Sequence, residues 1–234
     1  MPTLDLRALG RMDHSTFLYG PSRAVVNRLL FAMVHAVDAE PLWLDLAPRP
    51  AAGEEPGPAE LGWIAKDRLF LAEEADVARP QDAVANMALS NVIRTDEPAS
   101  SVARVTDFIR LAPIVQEIIS RIDRDGPRHA LAVSNSDRLR GDYPHTVEGI
   151  QPIVTTLLEA PLIPFIAAQG TPGAGRMAFA FVFEVRAKDL AHWRDGSLVP
   201  EKAPRESNLP IGGAIPLRDI PGLAEVFDAP PTRK

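Results

Sequence analysis

The sequence predicts an α/β fold, three layers deep, with a mostly parallel sheet and helices on both faces. Three observations lead there. Short apolar runs alternate with helical stripes from about residue 15 to residue 187. Most of those runs are apolar at every position rather than at alternate ones. Pro and Gly cluster between the runs and punctuate them. A strand that is apolar on both faces must be covered on both, the condition of a parallel sheet between two helical layers.

The elements follow in order. Residues 1–14 read as a loose lead-in. Phe17 to Tyr19 forms a short buried strand. A helix follows from about Ser22 to Val37, because Val25, Val26, Leu29, Leu30, Met33, Val34 and Val37 recur at helical spacing. Leu42 to Leu46 is a second strand, and the Pro-, Gly- and Glu-rich stretch Pro48 to Pro58 is a surface loop. Pro58 to Ile64 starts a short helix, Arg68 to Ala72 is a third strand, and Pro80 to Val92 is a helix. A longer helical region runs from Ser101 to Asp125, with Pro113 kinking or splitting it and Gly126-Pro127 ending it. His129 to Val133 is a strand, Val147 to Leu158 a helix, and Leu162 to Ala168 a buried strand. Met177 to Val185 is the strongest strand signal of all. From Ala187 the tail reads as mostly irregular, with short pieces at Leu190–Trp193 and from Leu217 to Phe227.

Composition narrows the classes of function. Of the 234 residues 46% are hydrophobic and 24% charged, enough for a sizeable core. The net charge of -6 argues against a nucleic-acid-binding surface, which shows a basic excess. The arginines at 121, 124, 128, 138 and 140 are interleaved with Asp123, Asp125, Asp137 and Asp142, which weakens that reading further. The chain has no cysteine, so disulfides and thiolate chemistry are excluded. No run reaches the roughly 18 apolar residues of a membrane span. The first residues lack a signal-peptide apolar core, and cytoplasm is the expected compartment.

The densest motif is Thr16-Phe17-Leu18-Tyr19-Gly20-Pro21-Ser22 followed by the helix. It has the strand, Gly turn and helix of a phosphate loop, whose pattern is G-x-x-x-x-G-K-[ST]. Begun at Gly20, that pattern puts its second Gly on Val25, its Lys on Val26 and its Ser/Thr on Asn27. Two further segments come in a matching order. One is Leu42-Trp43-Leu44-Asp45-Leu46-Ala47. The other is Ala130-Leu131-Ala132-Val133-Ser134-Asn135-Ser136-Asp137-Arg138-Leu139.

With these three segments, the chain resembles the RecA/KaiC-like branch of the P-loop NTPases over most of its length. The resemblance implies a RecA-like fold and a nucleotide site whose functional residues are replaced. The phosphate-binding Lys corresponds to Val26, which can neither donate a hydrogen bond nor neutralise charge. The Gly before it corresponds to Val25, whose branched side chain would intrude on a pyrophosphate. The magnesium-ligating Ser/Thr corresponds to Asn27, the water-activating Glu to Ala47, and the Walker B Asp to Ser134, with Asp137 three residues beyond. Together these losses remove charge neutralisation, water activation and metal binding. The resemblance therefore implies a pseudo-ATPase that works as an interaction or regulatory subunit. Its partner is another protein or a second copy, and no membrane or nucleic acid is expected. The remnant of the site consists of Gly20, Ser22, Arg23, Asn27, Ser134 and Asp137. No cofactor or metal is expected; ATP could still bind there but is not expected to. The domain runs over 1–187, and 188–234 forms an extension packing on it.

Two other readings compete. Ser22, Arg23 and Asn27 could hold a nucleotide or small anion on a non-standard loop. Alternatively, an unrelated α/β enzyme could place its chemistry around Asp137, His145 and Glu73. The histidines at 14, 35, 129, 145 and 192 show no metal-binding spacing. His35 reads as a surface or half-buried residue at the edge of its helical stripe, and Thr146 as a helix cap. Glu73-Glu74-Ala75-Asp76 reads first as a solvated loop. Gly170 to Arg176 is a connection between strands, phosphate-loop-like in composition only because no helix follows it. Trp193, with Leu190 and Leu198, packs the tail onto the domain or onto a partner.

Overall fold

The computed structural model describes residues 4–11, 15–45, 69–71, 128–137, 162–170 and 179–228. Among these residues eight strands form one sheet in the order β3-β2-β4-β5-β1-β6-β7-β8. They are β1 (Thr16–Gly20), β2 (Glu40–Asp45), β3 (Leu69–Leu71), β4 (His129–Ser134), β5 (Leu162–Gln169), β6 (Phe181–Arg186), β7 (Ser197–Lys202) and β8 (Ile215–Pro216). The strands β1 to β6 run parallel, and β7 and β8 add two antiparallel strands at one edge. Strands β1 and β4 are buried at every position, as the apolar runs at their centres require. The helices expected over 58–64, 80–92, 101–125 and 147–158 lie outside the described residues.

Helix α2 (Arg23–Ala36) packs against β1, β4 and β5. Ser22 caps it: its backbone is extended (φ -104, ψ 110) and its Oγ accepts from the Val25 amide at 3.5 Å. Val25, Val26, Leu29, Leu30, Met33 and Val34 are all buried, which is the stripe that the sequence displays.

Two expectations are corrected. The lead-in contains a helix, α1 (Leu6–Arg11), which packs on α2. Asp5 caps it by accepting from the Arg7 amide at 3.0 Å, and Leu4 and Leu9, both buried, stand at the two positions of a hydrophobic staple. Six residues are too few for a periodic stripe, so the cap and the staple are the local signals. The tail is also more regular than expected, because β7 and β8 extend the sheet. Pro200 and the polar end Glu201-Lys202 disguise β7 as a loop. Pro is tolerated there because β8 pairs only with Ser197 and Leu198, and the ladder to β6 shifts register between Val182 and Phe183. The freed Pro200 carbonyl accepts from Gly212 N at 2.7 Å.

The rest of the tail folds over α2. Helix α3 (Leu223–Phe227) packs there, and Arg28 of α2, only 5% exposed, donates from Nη1 to the carbonyls of Val226 at 3.0 Å and Phe227 at 3.1 Å. Those are orphan acceptors at a helix C-terminus, where a cation is favoured twice over. Trp193 anchors the other side, buried at 3% exposure with its ring 4.7 Å from that of Phe227.

At the far end of α2, His35 lies with its ring 4.1 Å from that of Phe31. Lost hydration there lowers its pKa below 6.5. The folded state thus disfavours the imidazolium relative to the unfolded chain. Its contribution to stability is full above 6.5 and is lost as pH falls below it through the lowered folded value. His35 is nevertheless an exposed residue, so replacing it with Leu is expected to flatten unfolding stability only slightly just below pH 6.5, which urea titrations would show.

Candidate functional site at the carboxyl edge of the sheet

The chain leaves β1 toward one side of the sheet and reaches β2 across β5 and β4, whereas β5 is followed by β6 on the opposite side of β1. Strand order therefore reverses beside β1, and ligands of open α/β sheets bind outside the carboxyl ends of strands at such a point. The residues gathered there come from the ends of β1, β2, β4 and β5 and from the start of α2.

The connection from β1 to α2 is short. β1 ends at Gly20 and α2 begins at Arg23, leaving only Pro21 and Ser22 between them. Val25, Val26 and Asn27 consequently lie inside the helix, with exposures of 0%, 1% and 7%. Gly20 has its own structural reason. A Cβ at Gly20 would sit 2.5 Å from the Val185 carbonyl of β6, so the close approach of two strands requires glycine.

Two polar networks fill the edge. In the first, Arg23 donates from Nε and Nη2 to Gln169 Oε1 at 3.2 and 2.9 Å and from Nη2 to Asp137 Oδ2 at 2.9 Å. The second oxygen of Asp137 accepts from the Gln169 amide at 2.9 Å. Gln169 Nε2 in turn donates to the Pro21 carbonyl at 3.1 Å, and Gly170 N donates to the Gly20 carbonyl at 2.8 Å. The second network is deeper. Trp43 Nε1 donates to Ser134 Oγ at 2.9 Å, and that hydroxyl donates to Asp45 Oδ1 at 3.0 Å. Asn135 Nδ2 donates to the same oxygen at 2.7 Å, and Asn27 Nδ2 donates to Asn135 Oδ1 at 3.4 Å. Asn135 sits in the left-handed region at φ 58, a conformation that Asn tolerates better than most residues. It turns the chain sharply out of β4 and brings Asp137 back over the edge.

Of the six residues singled out from sequence, Arg23 and Asp137 touch directly. Asn27 and Ser134 belong to the deeper network, Ser22 caps α2, and Gly20 ends β1. Sequence reasoning passed over Gln169, Asp45 and Trp43. A signal for the first two was available: each is the polar residue that follows an apolar run within its strand. His145, Glu73, Glu74, Asp76, Ala47, Thr146 and Arg176 lie outside the described residues. Among the described residues no three His, Cys, Asp or Glu side chains come together to hold a metal ion. A separate groove of about 660 Å³ lies near the other end of α2, lined by Asp5, Arg7, His35 and Glu225 among others.

No protein-family model matches the chain. No curated protein matches it either. Among solved structures it is similar to a KaiC-like protein of Pyrococcus horikoshii, with 11% identity and a TM-score of 0.45 over 86% of this chain and 84% of that one. It is also similar to EccC (ATPases 2 and 3) of Thermomonospora curvata in complex with a signal sequence peptide. There the identity is 16% and the TM-score 0.42, over 96% of this chain but 43% of the other. A type III secretion ATPase of pathogenic bacteria gives 13% identity and a TM-score of 0.39, covering 96% and 64% of the two chains. At such identities no residue-by-residue correspondence follows, and the chemistry rests on the edge itself.

Proposed function

We propose that this chain is a catalytically inactive homologue of the RecA/KaiC-like ATPases, acting as an interaction or regulatory subunit. The observation that carries the proposal is the two-residue connection between β1 and α2. A phosphate loop encloses its ligand with a longer Gly-rich turn and a Lys. Here the helix starts at once, and valines occupy its first buried turn. Phosphoryl transfer is catalysed almost wholly by positioning and charge, so an edge without those parts has little to offer it. The acidic groups at the edge are engaged: Asp45 accepts from Ser134 and Asn135, and Asp137 from Arg23 and Gln169. The subunit role rests on the sequence resemblance and on fold-level analogy.

Thermal unfolding with millimolar ATP or ADP and magnesium tests the reading. A ligand at about a hundred times its dissociation constant stabilises by roughly 2.7 kcal/mol, a shift of several degrees. No shift and no phosphate release are expected. A clear shift accompanied by hydrolysis would sink the proposal. Light scattering and affinity capture address the subunit role, where a monomer that captures nothing would count against it.

A further inference from the structure

Asp137 is held as a bound anion would be. One of its oxygens takes Arg23 Nη2 at 2.9 Å and the other takes the Gln169 amide at 2.9 Å. A guanidinium and a backbone N–H converging on the two oxygens of one planar group is the geometry of oxyanion recognition. The donors do not depend on Asp137 for their placement. Gln169 Oε1 accepts twice from Arg23, Gln169 Nε2 is fixed on the Pro21 carbonyl, and Gln169 itself pairs with Gly20 in the β1·β5 ladder. Taking the carboxylate away would therefore leave the arginine and the amide facing the same point. That point lies beside the first residue of α2, a 14-residue helix whose N-terminal dipole favours negative charge. The ion pair is neither sealed nor open, with side-chain exposures of 18% for Arg23 and 11% for Asp137, so a small solute can reach it. One residue before Asp137, the fully buried Ser136 hydroxyl has no hydrogen-bond partner among the described residues.

We propose that Arg23 and the Gln169 amide form an oxyanion grip that Asp137 occupies from within, and that removing this carboxylate opens the grip to an external carboxylate or phosphate. The contact is autoinhibitory: the chain carries its own competing anion. This inference stands on the geometry of the grip and does not require descent from an ATPase, so it can fail or hold independently of the reading above.

The test uses the full chain with Asp137→Ala, Asp137→Asn and the double change Arg23→Ala with Asp137→Ala. Inorganic phosphate and acetate are titrated calorimetrically at constant ionic strength set with chloride. Asp137→Ala is expected to bind one or both anions roughly tenfold more tightly than the unsubstituted chain, and the double variant to lose that gain. Binding of phosphate alone would mark a phosphate-type ligand; binding of acetate would mark a carboxylate, including one carried by another protein. If Asp137→Ala does not unfold cooperatively, Asp137→Asn carries the same measurement, with a smaller gain because its amide still fills part of the space. No gain in a folded variant would overturn the proposal. So would a gain that survives loss of Arg23, or equal binding by the unsubstituted chain.

Discussion

Replacing Trp193 with Ala is expected to lower the unfolding free energy by about 3–5 kcal/mol, the range for truncating a large buried aromatic. Trp193 joins pieces of the tail that no strand ladder connects. Its ring packs 4.7 Å from Phe227, its Nε1 donates to Asp228 at 3.2 Å, and the guanidinium of Arg194, itself paired with Asp228, lies 4.8 Å over its face. The loss should not be spread evenly. Residues 217–228 are also held by the buried side chains of Leu217, Ile220 and Leu223 and by the Arg28 contacts with Val226 and Phe227, but they lie outside the strand ladders, so after the loss of Trp193 their amides are expected to exchange with solvent before the central strands open. Trp193→Phe retains most of the apolar area and is expected to recover more than half of the loss. Hydrogen exchange resolved by segment, beside denaturant unfolding, would check both statements. Uniform acceleration across the sheet would show that Trp193 supports the whole fold rather than the tail.

Asp45→Ala is expected to cost about 3 kcal/mol, by a different mechanism. Asp45 is fully buried and accepts from Ser134 Oγ at 3.0 Å and Asn135 Nδ2 at 2.7 Å. Alanine would leave two donors unsatisfied where water is excluded, at about 1–3 kcal/mol each, eased in part by the freedom of the hydroxyl to turn. It would also take from Asn135, already at φ 58, the shorter of its two side-chain bonds and leave the one from Asn27 at 3.4 Å. Asn at position 45 retains a carbonyl oxygen for both donors, and Asp45→Asn is expected to cost about 1 kcal/mol. Urea unfolding of the pair gives the answer directly. Equal losses in the two variants would mean that the charge of Asp45, rather than its acceptor geometry, matters to the fold.

The sequence made the parallel sheet readable because burial on both faces leaves an unambiguous mark. The apolar runs before Gly20, Asp45, Ser134 and Gln169 are such marks, and each became a strand. Helix α1 and strands β7 and β8 were not readable in that way. Six residues cannot show a helical period, and a strand with Pro200 inside it presents the signature of a loop. At the carboxyl edge, Arg23 and Asp137 could be named because they flank the motifs, but their contact joins residues 114 apart in the chain. Gln169, which braces Arg23, is 146 residues from it. Local pattern carries no information about such pairings; only the strand order creates them. The cap at Ser22 was the underused clue, since it already places the start of α2 at Arg23 and leaves two residues between strand and helix.

The place of β1 in the sheet has a consequence for how the protein is made. It leaves the ribosome before the other strands of the sheet, yet it lies between β5 and β6: Thr16 pairs with Phe165 on one side and Phe181 on the other. Until those late strands emerge, an apolar segment with unsatisfied backbone on both sides waits in the nascent chain. Pairings this distant in sequence are slow to form, and the interval exposes a strand suited to aggregation. Synthesis that stops before residue 162 would release a chain without either neighbour of its own central strand, a species for chaperones and proteases rather than a shorter version of the fold.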